Sequence, residues 1–98
     1  MSTSKEKTAY EKKMAARIEE WNAEIDKLQA RAEQAGADAE IKYREELNEL
    51  RSKRDALQEK MNHLKDQSGD AWDEMKAGVE NAWGELKKSI DRARDRMR

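Results

Sequence analysis

The sequence predicts an all-α fold, and three observations carry that reading. The 98 residues include no proline. Apolar side chains recur at steps of three and four, the spacing of a helix face. Ala, Glu, Lys, Leu and Arg together fill 55 positions, more than the roughly half of a chain that marks long helices and coiled coils. Strands have no support, because Val79 is the single valine and no segment alternates β-branched with polar residues. Leu, Ile and Val number only eleven, below the roughly one-fifth of an ordinary globular core, which argues against a self-contained globular enzyme. Charge does not point to disorder either: 21 cations balance 22 acids and three tryptophans are present, a composition suited to salt-bridged helices.

A single helical coiled-coil domain over 1–98 is expected, with residues 1–5 frayed. From Met14 the apolar positions run Met14, Ile18, Trp21, Ile25, Leu28, Ala32, Ala35 and Ala39, one seam facing a partner helix. A second seam runs Leu47, Leu50, Leu57, Met61 and Leu64, with Arg54 and Ser68 also at seam positions. The steps Ala39, Tyr43, Leu47, Leu50 join the two as a stutter, which locally relaxes a left-handed supercoil. Gly36 lies between strong helix formers and the seam passes it without a change of step. A glycine there costs only about 1 kcal/mol. The spacing therefore predicts one continuous coiled-coil helix over about 6–67, roughly 90 Å long, followed by an amphipathic helix over about 70–97. The break is placed at 68–70, with Gly69 just past the first helix's C-cap and Asp70 capping the second. An antiparallel three-helix bundle with turns near Gly36 and Gly69 is the alternative.

The last helix carries an 11-residue repeat, Ala-Trp-x-Glu-(Met/Leu)-Lys-x-x-(Val/Ile)-acid, starting at Ala71 and again at Ala82. Eleven residues make close to three turns, so the stripe runs nearly straight along the helix. It gathers Trp72, Met75, Val79, Trp83, Leu86, Ile90 and Met97, with Lys76, Lys87 and Arg94 on one shoulder. Such a stripe packs on a protein core or lies on an anionic lipid surface. The six cations among residues 87–98 face only Asp91 and Asp95, a patch that suits anionic headgroups or complements the helix dipole. Nucleic acid is a disfavoured partner for a chain of net charge −1 whose only aromatic near that patch is Trp83.

No reaction chemistry is expected. His63 is the single histidine and there is no cysteine, so the convergent ligands of a metal site are not available from those residue types. Ser68 cannot reach His63 along one helix. The carboxylates read as i,i+4 partners, for example Asp38–Lys42, Glu40–Arg44 and Glu49–Lys53. Neither a cofactor nor a small-molecule substrate is implied. No apolar run is long enough for a transmembrane helix, and the N-terminus lacks a secretory signal, so a cytoplasmic location is the expectation.

The segments Trp21–Leu28, Glu46–Arg54, Gly69–Trp72 and Lys76–Trp83 together resemble small, uncharacterised bacterial coiled-coil-domain proteins. That resemblance implies a bacterial, soluble, all-helical protein without an assigned reaction. It also implies a residue other than glycine at position 36, which favours the continuous helix. The 11-residue pattern is similar in style to exchangeable apolipoproteins and some stress protectants, an analogy only.

The leading expectation is a non-enzymatic protein that self-associates, as a homodimer or higher oligomer, or binds another protein. Ile18, Trp21, Ile25 and Leu28 on the first helix and Trp72, Met75, Val79, Trp83, Leu86 and Ile90 on the last are its candidate interaction residues. Reversible binding of residues 71–97 to an anionic membrane surface is the alternative, and a stress-protectant role a weaker one.

Overall fold

In the computed structural model, which describes residues 3–97, the chain forms α1 (Ser4–Ala35), α2 (Ala37–Lys65) and α3 (Gly69–Arg96). The all-α class holds, and of the two architectures the sequence allows it is the three-helix one that forms. Part of the segment expected to fray is instead tied down. The Thr3 hydroxyl accepts a hydrogen bond from the Glu6 amide at 3.1 Å, while the Thr3 amide donates to the Glu6 carboxylate at 3.3 Å. This capping box satisfies two otherwise unpaired donors. Met1 and Ser2 lie outside the described residues.

The continuous helix over 6–67 does not form, because the chain reverses at Gly36. Its φ of 107° and ψ of 175° lie in a region that is essentially glycine-only. One residue closes both helices. Its amide donates to the Glu33 carbonyl at 3.2 Å and its carbonyl accepts from the Glu40 amide at 3.1 Å. The seam keeps its step through the turn because antiparallel helices folded on each other need the same apolar face as one long helix paired with a neighbour.

The second break falls slightly earlier than predicted. α2 ends at Lys65, where the Asp66 amide turns back to the His63 carbonyl at 3.2 Å and the Gln67 amide to Leu64 at 3.1 Å. Ser68 is extended and stands at the N-cap without a side-chain hydrogen bond, and Gly69 opens α3 at φ 60°. Asp70 therefore sits inside the first turn, where its charge complements the helix N-terminus, and does not act as the cap.

The helices run up, down and up in a rod of 50 × 19 × 17 Å. Lys7 reaches the Gln67 carbonyl at 3.1 Å, and the Tyr43 hydroxyl donates to the Arg96 carbonyl at 2.8 Å, which ties the two ends. Met14, Ile18, Ile25, Leu28 and Ala32 from α1 meet Leu47, Leu50, Leu57, Met61 and Leu64 from α2. Trp72, Val79, Leu86, Ile90 and Ala93 from α3 complete the same core. The N-terminal seam is thus covered by the chain itself and needs no second chain. Of the three i,i+4 pairs predicted, Glu49–Lys53 closes at 3.1 Å and the other two do not.

Charge is sorted along the rod. Residues 4–18 hold five cations and two acids, and residues 19–35 two cations and five acids. α2 runs back with five acids and two cations over 37–50, then the reverse over 51–65. α3 carries four acids and one cation over 69–82, then five cations and three acids over 83–96. At each end of the rod, α1 and α2 carry the same sign and α3 the opposite one. Arg94–Glu24 at 2.7 Å and Arg96–Glu46 at 2.5 Å are local expressions of that match.

Candidate functional site

α1 and α3 lie side by side and parallel, and they approach each other less closely than either approaches α2. Aromatic side chains fill the wider gap. At the lower level Tyr10 meets Trp72 edge-on at 5.6 Å, and its hydroxyl donates to Glu80 at 2.7 Å. Lys76 lies over both rings, at 4.8 Å from Tyr10 and 5.7 Å from Trp72, and Lys7 lies over Trp72 at 5.8 Å. At mid-length Trp21 and Trp83 pack at 6.4 Å with a 37° tilt. Arg17 sits over Trp83 at 4.5 Å and Lys87 at 5.7 Å. Above them Arg94 joins Glu24 at 2.7 Å and Asp91 at 3.5 Å. The faces of the rings are electron-rich, so the cations gain from resting on them while their stems cover apolar surface.

The seam also perturbs its titrating groups. Burial, then the hydrogen bond to Glu80 and the charge of that carboxylate, push the Tyr10 phenol well above its ordinary 10.0. The folded state therefore holds this proton where the unfolded state releases it. Stability from the group is complete below about pH 10 and is lost as pH rises toward the folded value. In thermal melts between pH 9 and 11 the wild type should lose stability faster than Tyr10→Phe. Parallel curves for the two proteins would show that Tyr10 does not couple to folding. Arg94 holds the Glu24 carboxyl below its usual range, chiefly through their hydrogen bond, and Glu24 in turn raises Arg94.

The structure divides the predicted interaction residues into two groups. Ile18, Ile25, Leu28, Trp72, Val79, Leu86 and Ile90 are all buried in the core of the single chain. Trp21, Met75 and Trp83 are half-buried at its edge. Of the four α1 residues expected to face another chain, only Trp21 retains a surface, because folding back at Gly36 encloses the rest. The indole Nε1 atoms of Trp21, Trp72 and Trp83 are enclosed and have no hydrogen-bond partner. Water cannot reach them, so each donor weakens the stability that burying its ring provides.

No known protein family, curated protein or solved structure matches this chain. The surface must therefore be read from its own chemistry. Ser89 is a residue the periodicity did not single out. It is 6% exposed, and its hydroxyl accepts from Lys53 at 2.5 Å and Arg92 at 3.2 Å. The 11-residue repeat held the signal, since Ser89 occupies the place of Gly78, a small-residue slot. A cleft of about 140 Å³ opens beside it, lined by Glu46, Glu49, Arg92 and Arg96 among others; Glu46 already pairs with Arg96, and Glu49 with Lys53. His63 is exposed. Among the described residues no group of three His, Asp or Glu side chains is placed to hold a metal ion, and no helix is long and apolar enough to cross a membrane.

Proposed function

We propose that this chain is a non-enzymatic helical interaction protein that acts by self-association, with its contact surface on the α1/α3 seam. The observation that carries the reading is the half-buried Trp21–Trp83 pair at mid-length under Arg17 and Lys87. Tryptophan and arginine are enriched at the centres of protein interfaces, tryptophan because it brings large contact area at small cost in conformational freedom and arginine because its planar fork makes several hydrogen bonds at once. Arg17 and Lys87 are paired with no carboxylate among the described residues, so both are open to an acidic partner. A cytoplasmic location and kinship with bacterial coiled-coil-domain proteins belong to the same proposal.

A second reading rests on α3. Its stripe and its cationic second half have the makings of a helix that leaves the bundle for an anionic bilayer. One experiment separates the two. Sedimentation equilibrium from about 1 to about 500 µM at low salt, a range spanning the affinities of ordinary self-association, should show mass rising with concentration. Tryptophan emission should stay unshifted when vesicles of roughly one-third phosphatidylserine, an anionic surface, are added. A strict monomer whose emission moves to the blue on the vesicles would replace self-association with membrane binding.

A further inference from the structure

The α1/α3 face carries a charge pattern that is its own complement. Arg17 and Glu24 border the groove through their contacts with Trp83 and Arg94. Lys13 and Glu20, one helical turn away from them, extend the row. Read along α1, the row is Lys13, Arg17, Glu20, Glu24: two cations, then two acids, with spacings that are the same in either direction. Across the groove on α3 the row is Lys76, Glu80, Lys87, Asp91, again with symmetric spacings, centred between Trp83 and Gly84. Reversing either row places an acid on every cation. The centre of the α1 row falls between Arg17 and Glu20, and Arg17 lies directly over Trp83. Trp21 also packs on Trp83, so the two centres lie within about one helical turn of each other along the rod, and one axis near the Trp21–Trp83 level serves both.

We infer that a second copy of this chain docks antiparallel on the α1/α3 face, about a two-fold axis that passes through the Trp21–Trp83 level. Lys13 of one protomer then faces Glu24 of its partner and Arg17 faces Glu20. On the other helix Lys76 faces Asp91 and Glu80 faces Lys87, and each pair occurs twice by symmetry. The tryptophans meet at the centre and the charges form the rim, the division of labour common to interfaces. A face of 50 by 19 Å accommodates the roughly 800 Å² that each partner of a stable pair buries. Lys13, Glu20, Glu80, Lys87 and Asp91 are exposed, and Glu24, Glu80 and Asp91, which hold Arg94 and Tyr10 within the chain, have further carboxylate lone pairs to offer a partner's cation. This inference rests on the self-association reading and adds its surface, partner and direction.

Charge reversal tests it. Glu80→Lys sets two cations against each other, because the new ammonium faces the partner's Lys87. Lys87→Glu sets two acids against each other, because the new carboxylate faces the partner's Glu80. Each variant alone should dimerise about tenfold or more weakly than the wild type, since every reversal acts twice. An equimolar mixture of the two should recover dimerisation as a heterodimer. The introduced lysine then meets the introduced glutamate, while native Glu80 meets native Lys87. Arg17→Glu and Glu20→Arg repeat the test on α1, with circular dichroism confirming that each variant is folded. The chain has no cysteine, so Gly84→Cys supplies a single thiol beside the axis, at a position where an added Cβ meets open space. A short bismaleimide should crosslink that variant to a dimer and leave Thr8→Cys, near one end of the rod, uncrosslinked. If the wild type dimerises but neither mixture recovers it, the interface lies elsewhere and this inference fails while the proposed function stands. A wild type that stays monomeric overturns both.

Discussion

Gly36→Ala should open the turn between α1 and α2. Nothing lies within 4 Å of the Cβ that the substitution adds, so the effect acts through the backbone alone. At φ 107° an L-residue is strained by about 1–3 kcal/mol, and alanine gains about 1 kcal/mol over glycine if the helix continues. Together these shift the balance between turn and straight helix by about 2–4 kcal/mol toward the helix. Melting of the closed bundle feels the strain alone, so at about 4–8 °C per kcal/mol for a chain of this size it should fall by at least about 4 °C. The opened chain exposes two apolar seams, which a second opened chain covers by exchanging α1, a common outcome of hinge substitutions. Small-angle scattering should then show the longest dimension growing from the 50 Å rod toward about 90 Å. A protein synthesised with D-alanine at position 36 is the control. D-residues favour this region, so it should keep the wild-type mass and dimensions and melt no lower. An L-alanine variant with unchanged melting and shape would show that the turn does not depend on glycine.

Trp72→Ala should cost about 3–5 kcal/mol, a large share of the stability of a domain this small. Trp72 is 1% exposed and among the largest side chains that the core encloses. It packs at the α1/α3 seam, in a T-shaped contact with Tyr10 and with Lys7 and Lys76 over its ring. Truncation leaves a cavity in the core and removes the ring contact that Tyr10 makes while it bonds Glu80. Trp72→Phe should be much milder. It keeps an aromatic ring and removes an indole donor that has no partner, so no polar group is newly orphaned. Urea titration of both variants gives the comparison. Equal losses would mean that volume is not what Trp72 contributes.

Much of the fold was legible in the residues. The seam positions Met14, Ile18, Ile25, Leu28, Leu47, Leu50, Leu57, Met61 and Leu64 are all buried, since a step of three and four records which side of a helix faces apolar surroundings. It does not record whose surroundings they are. A helix paired with another chain and one folded against its own continuation need the same stripe, so periodicity did not distinguish the long helix from the hairpin. The turn at Gly36 depends on a backbone angle that leaves no trace in the flanking alanines. The resemblance favouring a continuous helix pulled the same way. The candidate site was half legible for a related reason. Trp21 and Trp83 stand out in the sequence, but their pairing, and the level at which Arg17 meets Trp83, follow from α1 and α3 running parallel. That arrangement exists only once both turns are in place.

The sorting of charge along the rod has a consequence for α1 in particular. A helix is electrically positive at its N-terminus and negative at its C-terminus. α2 and α3 answer that polarity, with acids early and cations late. α1 opposes it, beginning with Lys5 and Lys7 and ending with no cation in its last turn. Apart from Glu6 in its capping box, its charges run against its own dipole. Its charges are favourable only where α3 runs beside it with the reverse order. In charge alone, α2 and α3 form a self-consistent hairpin, and α1 answers to α3. α1 is thus the helix whose charge order depends most on its neighbour, and the match with α3 fixes it parallel to that helix.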